Sequence, residues 1–365
     1  MKREHKRIVP SWSKISLIIL LLSTIIYIVA INDAEFADCI DETASATVRE
    51  LLATLSNPFP FSLFEGLIIL LPVILIALII RGIRRGFNIR SSLRVVFSLV
   101  GVISLLLSSY IFTLGVGYRT TSLSEKTGIE DKADIPTDEL YRVTLIVRDE
   151  VNRYAGLVKQ EQLHSAMPYS IDEMNNKLMS AYDVMNEEYN IVRCFDSSVK
   201  PVYFSTVMSD LRIMGIYSFF TGEANVNVEY PDYCLPFTAA HELAHQRGIS
   251  RENEANFVAF LVTVAADDDF IKYSGYLNLY EYLSSALYRA DKDLYQEVAN
   301  GLCDEAKNDM RASNEVYLAH KDSFLGELNE KINDRYLQLN GTPGNVSYGY
   351  VVRLAVGYYS RESAQ

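Results

Sequence analysis

The amino-acid sequence predicts an α+β fold in which helices predominate, with three transmembrane helices at the N-terminus and one outer domain after them. Three long apolar runs lie within residues 1–117, and the charge is divided unevenly along the chain. Most of the remaining sequence carries apolar residues at helical spacing. The predicted parts are therefore a membrane region at residues 1–117 and an outer domain at residues 118–365.

The uneven charge supports this division of the chain. Residues 1–117 carry 11 Lys and Arg against 8 Asp and Glu, whereas residues 118–365 carry 23 against 38. Hydrophobic residues make up 49% of the chain and charged residues 22%, a mixture that fits an apolar region joined to a charged domain. Proteins bind nucleic-acid phosphates through a basic face, so the net charge of -12 predicts no nucleic-acid partner.

Three apolar runs approach or reach the length that crosses a bilayer, and they cover residues 15–31, 59–80 and 95–117. The first run has no charged residue. The second contains Glu65 near its start, where a carboxylate can stay hydrated at the interface. We therefore expect a multi-pass protein whose partner is the lipid bilayer. A cleaved signal peptide is the alternative interpretation of the first run.

Basic residues in the connecting segments predict the orientation of the spans. Five basic residues precede the first run, and five arginines without any acid separate the second run from the third. The segment between the first and second runs has six acidic residues and one arginine. The basic segments are expected in the cytoplasm. Three spans in the cell membrane then give a cytoplasmic N-terminus and an extracytoplasmic outer domain.

The outer domain is predicted to be mainly helical, with a small β region. Helical spacing occurs at residues 137–163, 171–190, 238–247, 251–266, 276–290, 291–300 and 310–340. Residues 198–204 and 224–230 are predicted as strands, and residues 351–359 fit either a helix or a strand. The four cysteines are widely spaced and match no metal-binding pattern.

One motif, H-E-L-A-H beginning at His241, has the spacing of a metal site. On a helix, His241 and His245 lie one turn apart on the same face, so their imidazoles can bind one Zn²⁺. Glu242 is offset by one residue and can act as general base on the attacking water. The chain has only five histidines, so this arrangement is improbable by chance. Thr238 and Gly248 are the expected N-cap and stop of the helix.

A catalytic zinc site needs a third protein ligand, and two acids compete for this role on the next predicted helix. Glu252 and Glu254 are two residues apart, so their side chains point about 200° apart and only one can face the metal. Glu252 is the better candidate because Asn256 follows one turn later, where a polar residue can orient the ligand. Glu254 is the alternative ligand.

His241 to His245, together with E-N-E-A-N at residues 252–256, resemble the motifs of the gluzincin zinc metallopeptidases. That superfamily carries H-E-x-x-H on one helix. On the next helix it carries a Glu followed four residues later by a polar residue, usually Asp. The resemblance implies a zincin-like outer domain in which His241, His245 and Glu252 bind Zn²⁺. Asn256 then takes the place of the usual Asp.

The same resemblance implies a substrate-binding strand before the zinc helix. In gluzincins an edge strand, often bearing Asn-Ala, holds the substrate backbone by strand addition. Asn225 and Asn227 are therefore candidate substrate-binding residues, and a plain edge strand is the alternative. An oxyanion stabiliser is also expected outside the motif. Its candidates are Arg335, Tyr336, Tyr348 and Tyr350.

A closer resemblance is to an uncharacterised family of bacterial membrane proteins with three N-terminal spans and an external domain. The shared motifs are G-E-A-N-V-N at 222–227, P-F-T at 236–238, H-E-x-A-H-Q-R-G at 241–248 and E-x-E-A-N at 252–256. This resemblance implies a membrane-anchored zinc metalloendopeptidase acting on a peptide or protein substrate. The alternative is a membrane sensor or scaffold with a structural zinc. A closed four-ligand site would indicate the structural role, and an open position the catalytic one.

Overall fold

The computed structural model describes residues 8–85, 89–161 and 164–362, and helices dominate it. The prediction of a helix-dominant α+β chain is therefore confirmed. The helices of the N-terminal region are α1 (Ser11–Asn32), α2 (Ala34–Ile40), α3 (Ala46–Ser56), α4 (Leu63–Arg85) and α5 (Ile89–Tyr110). Helix α5 continues through a π-helical turn at Ile111–Gly115 and a 3₁₀ turn at Val116–Arg119.

Two helices among the described residues are long and apolar enough to cross a membrane. They are Ser11–Asn32 and Ser92–Arg119, with mean hydropathies of 2.5 and 2.3. Of the three predicted spans, these two have the length and composition that a membrane span requires. The apolar segment of α4 that meets the same test of composition, Leu63–Ile74, is too short. Helices α1 and α5 pack side by side, and the Ser23 hydroxyl donates to that of Ser108 over 3.2 Å.

The chain after α5 and its extension, which is the predicted outer domain, contains further helices and two small sheets. The helices are α6 (Leu123–Thr127), α7 (Thr137–Ala155), α8 (Ile171–Tyr189), α9 (Ser205–Asp210), α10 (Cys234–Gln246), α11 (Glu252–Ala265), α12 (Asp269–Ala290), α13 (Lys292–Asn300), α14 (Asp304–His320), α15 (Phe324–Leu339) and α16 (Val351–Glu362). The strands are β1 (Gln160–Glu161), β2 (His164–Ser165), β3 (Lys200–Pro201), β4 (Gly215–Ser218) and β5 (Glu223–Val226). Strands β1 and β2 pair with each other, and the other three form a second sheet.

In the three-stranded sheet, β5 lies between β3 and β4. It pairs with β3 in parallel and with β4 antiparallel, with Ile216 opposite Asn225. The strand predicted at 224–230 is thus central, and it ends early because the Asn227 side chain accepts from the Glu229 N–H and forms a turn. The strand predicted at 198–204 shrinks to β3. The Val202 N–H still donates to the Val226 carbonyl, and the chain then leaves the sheet because the N–H groups of Tyr203 and Phe204 donate to Glu65 of α4.

Helix α11 is the centre of the apolar core. It contacts α8, α10, α12 and α16, and Phe257 and Phe260 are almost completely buried. Burial of a side chain of this size stabilises the fold by about 1.5–3 kcal/mol. The apolar run after Glu254 is therefore a core helix rather than a membrane span.

Several predicted helix boundaries are wrong. The helix predicted at 137–163 ends at Ala155, and the helix predicted at 276–290 begins at Asp269. Helix α10 begins at Cys234 rather than Thr238, because Pro236 falls in the first turn, where its missing N–H costs no helical hydrogen bond. The helix predicted at 310–340 is two helices, α14 and α15, because the chain turns at residues 321–323. This turn brings α15 back toward β4, a placement that the candidate site uses.

The segment between α1 and α4 packs onto the outer domain. Arg49 is buried and forms an ion pair with Asp41 over 2.7 Å. Its guanidinium lies so close to Gly248 that a Cβ atom there would be 2.4 Å from Nη2. The buried Glu223 carboxylate accepts from the Leu63 N–H at the start of α4. Residues 33–62 therefore help to hold the outer domain together, although they precede the predicted boundary at residue 117.

Glu281 on α12 provides a test of the core through pH. Burial raises the pKa of Glu281 to about 7, although the hydrogen bond from the Tyr233 hydroxyl opposes this. The folded state therefore favours the protonated acid, whose contribution to stability is lost as the pH rises toward 7. We expect Glu281→Gln to stabilise the protein by about 1–2 kcal/mol at pH 8 and by much less at pH 4.5. Chemical denaturation of the full chain at both pH values measures this, and equal effects at the two pH values would contradict it.

Candidate metal centre

Helix α10 presents the two histidines of the motif toward a cleft. The rings of His241 and His245 stand edge to face, with their centroids 4.6 Å apart. The Nδ1 atom of His245 lies 2.7 Å from the Ile249 carbonyl oxygen. A ring nitrogen held in this way donates to the carbonyl, so the Nε2 atom of His245 faces the cleft.

A tight turn then reverses the chain between α10 and α11. Gly248 has a φ of 106°, in the left-handed region that favours glycine. The Ile249 N–H donates to the Ala244 carbonyl over 3.0 Å and closes the turn. The Ser250 hydroxyl donates to the Leu114 carbonyl of the α5 extension. Glu252 is consequently the first residue of α11 and faces the end of α10.

Three side-chain donors converge at this point. The Glu252 Oε2 atom lies 3.3 Å from His241 Nε2 and 3.5 Å from His245 Nε2. The three donor atoms all lie within 4.8 Å of one another. Ligands about 2.0–2.1 Å from a tetrahedral zinc ion are about 3.3–3.5 Å apart. The two distances from the Glu252 oxygen match this separation between zinc ligands, so the donor set fits a divalent cation such as Zn²⁺.

The charges of these groups also fit a cation. Burial would raise the pKa of Glu252, but the His245 and His241 imidazoles outweigh it and hold the pKa well below its ordinary value. Burial would lower the pKa of His245, but the carboxylates of Glu252 and Glu242 raise it to about 9. The buried Glu252 carboxylate thus stays ionised. At neutral pH a metal ion that binds here displaces a proton from His245.

Glu254, the alternative ligand, has partners elsewhere. Its carboxylate accepts from the Leu123 N–H over 2.9 Å and pairs with Arg251 over 3.1 Å. The two acids thus face in different directions, and the structure brings Glu252 to the histidines. Asn256 follows Glu252 by one turn, is buried, and is hydrogen bonded to Tyr282 in the wall of the cleft.

Glu242 lies beneath strand β4. Its carboxyl accepts a hydrogen bond from the Tyr217 backbone N–H, and burial raises its pKa despite the neighbouring imidazoles. A Cβ atom at Gly215 would lie 2.6 Å from Glu242 Oε1 and 2.7 Å from the Thr238 methyl group. Only glycine lets the strand approach so closely. One feature of the sequence indicates this contact: Gly215 stands directly before Ile216 and Tyr217, which are residue types typical of strands.

This close approach predicts the effect of Gly215→Ala. The added methyl group must displace β4 or the side chains on α10, so we expect the free energy of unfolding to fall by about 1–3 kcal/mol. Denaturation of the full chain in detergent measures the change. Gly156→Ala is the control, because a Cβ atom at Gly156 meets only ordinary contacts at 3.6 Å. Equal losses in the two variants would contradict the argument.

The cleft above the metal donors has a volume of about 590 Å³. Strand β4 forms one wall, and α15 forms another with Asn329, Asn333 and Tyr336. The C-terminal end of α5 and its extension contribute Tyr110 and Tyr118. The cleft is thus open beside the metal donors and bounded by an edge strand.

Tyr336 is the predicted oxyanion candidate that lines the cleft. Its hydroxyl is hydrogen bonded to Tyr118 and Tyr110, and burial raises its pKa, so it remains a neutral proton donor. Arg335 and Tyr350 are not among the described residues of the cleft wall, and the Tyr348 side chain lies outside the described residues. The sequence did not point to Tyr118 and Tyr282, which also line the cleft.

The two asparagines predicted to bind substrate lie elsewhere. Asn225 is completely buried in central strand β5, and its amide donates to the Ile216 and Glu223 carbonyls. Asn227 donates to the Ser209 hydroxyl and the Ile213 carbonyl. The predicted edge strand is therefore corrected. Strand β4 occupies the edge next to the cleft, and the asparagines hold the sheet and its neighbouring loop together.

Most of the chain matches the profile of a protein family. The profile of a family described as "Protein of unknown function (DUF3810)" matches residues 43–356. The chain belongs to this family. No curated protein and no solved structure matches it significantly. The family match includes the metal donors, Gly215 and helix α3, which carries Arg49.

Proposed function

We propose that this DUF3810 protein is a membrane-anchored zinc metalloendopeptidase. The observation that carries the proposal is the convergence of His241, His245 and Glu252 beside Glu242 in an open cleft. These three residues would hold the zinc ion in the manner of a zincin-like domain, and Glu242 would be the catalytic base. A glutamate next to the donors that is not itself a donor has no purpose in a purely structural site.

The groups in the cleft would have separate roles in the proposed reaction. Bound Zn²⁺ supplies Lewis-acid activation of water and of the substrate carbonyl. Glu242 takes a proton from the attacking water and returns it to the leaving amide nitrogen. Burial raises the pKa of Glu242, which makes its carboxylate a stronger base for the first transfer. The Tyr336 hydroxyl is the candidate donor to the oxygen on which negative charge develops.

Strand β4 is suited to hold the substrate backbone. It pairs with β5 on one side and has no strand partner on the other within the described chain. The Asn227 N–H donates to the Met214 carbonyl, so the backbone groups of Met214 and Ile216 face β5 and those of Gly215 and Tyr217 face the cleft, where the Tyr217 N–H donates to Glu242. A peptide in extended conformation can add to this edge. Its scissile bond would then lie near Glu242.

We propose three membrane spans, formed by α1, α4 and α5, with the outer domain outside the cell membrane. The 23 residues of α4 suffice in length to cross a bilayer, and exposed apolar side chains extend along it to Ile80. Contact between α1 and α5 is compatible with two spans running in the same direction. The arginines after α4 favour a cytoplasmic loop, and this arrangement leaves the cleft outside the lipid.

A membrane sensor or scaffold with a structural zinc is the second candidate. The observation in its favour is the contact between the metal-binding turn and the α5 extension. The Ser250 hydroxyl donates to the Leu114 carbonyl over 2.9 Å, so metal occupancy and the position of α5 are coupled. The open cleft and Glu242 favour the enzyme.

A digest of a peptide library tests the proposed function. The full chain, purified in detergent, should bind about one zinc ion and cleave peptides, and a chelator should abolish cleavage until zinc is restored. Zinc content is measured by atomic absorption and cleavage sites by mass spectrometry. A zinc-loaded protein that cleaves no peptide would overturn the proposal in favour of the structural site.

A further inference from the structure

Strand β4 connects the candidate active site with the outer ends of two membrane-region helices. It begins at Gly215 against Glu242 and ends at Ser218. The following residue, Phe219, accepts hydrogen bonds at its carbonyl from the hydroxyls of Ser109 and Thr113, over 2.6 and 3.3 Å. Both hydroxyls belong to α5 or its extension. The end of β4 is therefore fixed to α5.

The two phenylalanines after β4 contact both helices. The Phe219 ring packs edge to face on Tyr110 of α5, with centroids 5.8 Å apart. The Phe220 ring packs on Phe64 at the start of α4, also at 5.8 Å. The start of α4 and the end of α5 thus both contact the two residues that directly follow strand β4.

These contacts with Phe219 and Phe220 lie at the outer boundary of the exposed apolar segments of α4 and α5. On α5 the exposed apolar side chains end at Leu107, and on α4 they begin at Leu67. Beside α4, Tyr203 is 86% exposed and donates its N–H to Glu65. Aromatic side chains at the ends of apolar helices are typical of the interface between lipid and water. The residues after β4 therefore lie at the membrane surface if these helices span the bilayer.

We infer that the substrates are membrane-anchored polypeptides, cut in an extended segment next to the outer face of the bilayer. This inference rests on the proposed function. A substrate strand added to β4 runs from the cleft to the membrane surface. The four residues of β4 cover about 13 Å, so the cleaved bond is expected about four to eight residues from the end of the substrate's own span.

The reaction itself is simple hydrolysis. One water is consumed, the carbon–nitrogen bond of the peptide breaks, and the acyl carbon gains the hydroxyl group. Glu242 passes the proton to the amine that leaves. One product stays in the membrane with a short stub, and the other is released from the surface.

Proteoliposomes of neutral and anionic phospholipid, containing the full chain and zinc, test the inference. The substrates are a pool of random 30-residue sequences fused to a single apolar helix, with the helix at either end, and the same pool without a helix. Mass spectrometry gives the position of each cut. We expect at least about tenfold more cuts within four to eight residues of the helix than in an equal window 20 residues away.

The distribution of cuts separates this inference from simple tethering. Anchoring alone raises the local concentration of the whole segment and would spread cuts along it. A uniform distribution, or faster cleavage of the pool without a helix, would overturn the inference and leave the proposed peptidase intact. No cleavage in any arm by the zinc-loaded protein would overturn both.

Discussion

Glu242→Gln is expected to retain zinc and to lose peptide cleavage by about 10²–10⁴-fold. Glutamine has nearly the same shape as glutamate, so the fit beneath β4 at Gly215 is kept. The amide cannot take a proton from the attacking water. Because Glu242 is not among the three converging donors, metal binding should not change.

The measurement combines zinc content with the rate of cleavage by the full chain. Glu188→Gln is the matched control, since Glu188 is exposed on α8. It makes the same chemical change away from the cleft. Cleavage by Glu242→Gln at the rate of the unaltered protein would reject the general-base role. Loss of zinc from that variant would instead make Glu242 a ligand.

Glu252→Ala is expected to lose bound zinc, with an affinity at least about 100-fold lower. The substitution removes the oxygen that lies 3.3 and 3.5 Å from the two histidine nitrogens. Glu254→Ala should retain zinc but destabilise the fold by about 1–3 kcal/mol. It leaves the Leu123 N–H without its carboxylate and Arg251 without its ion partner.

The two variants are compared by competition with a zinc chelator and by denaturation of the full chain. Each variant thus serves as the control for the other. Zinc loss by Glu254→Ala with retention by Glu252→Ala would contradict the assignment. Loss of zinc by both variants at equal stability would mean that the two acids cannot be separated in this way.

The metal donors could be predicted from sequence because their arrangement is local. The spacing of His241 and His245 sets their common face, and a glycine shortly after them ends the helix. The preference for Glu252 also rested on local spacing, and the structure brings that acid to the histidines.

Long-range pairing could not be predicted in the same way. Alternation at residues 224–230 indicated a strand, but whether a strand is central or at an edge depends on which segments join it. Strand β4 is short and includes a glycine, so its sequence carries little strand signal. Tyr118 reaches the cleft because the end of α5 adjoins α10 and α15, which no local pattern reveals.

The pair of Arg49 and Asp41 has a consequence for how this protein can be handled. The guanidinium fills the space beside Gly248 that no other described side chain occupies so closely, and the turn there aligns the two metal-binding helices. A water-soluble fragment that starts after the last apolar helix would lack this support, and its buried Glu223 carboxylate would lose the Leu63 N–H of α4 as a donor. We therefore expect the candidate metal centre to keep its geometry only when the N-terminal helices are present, so purification should keep residues 1–117 in the chain.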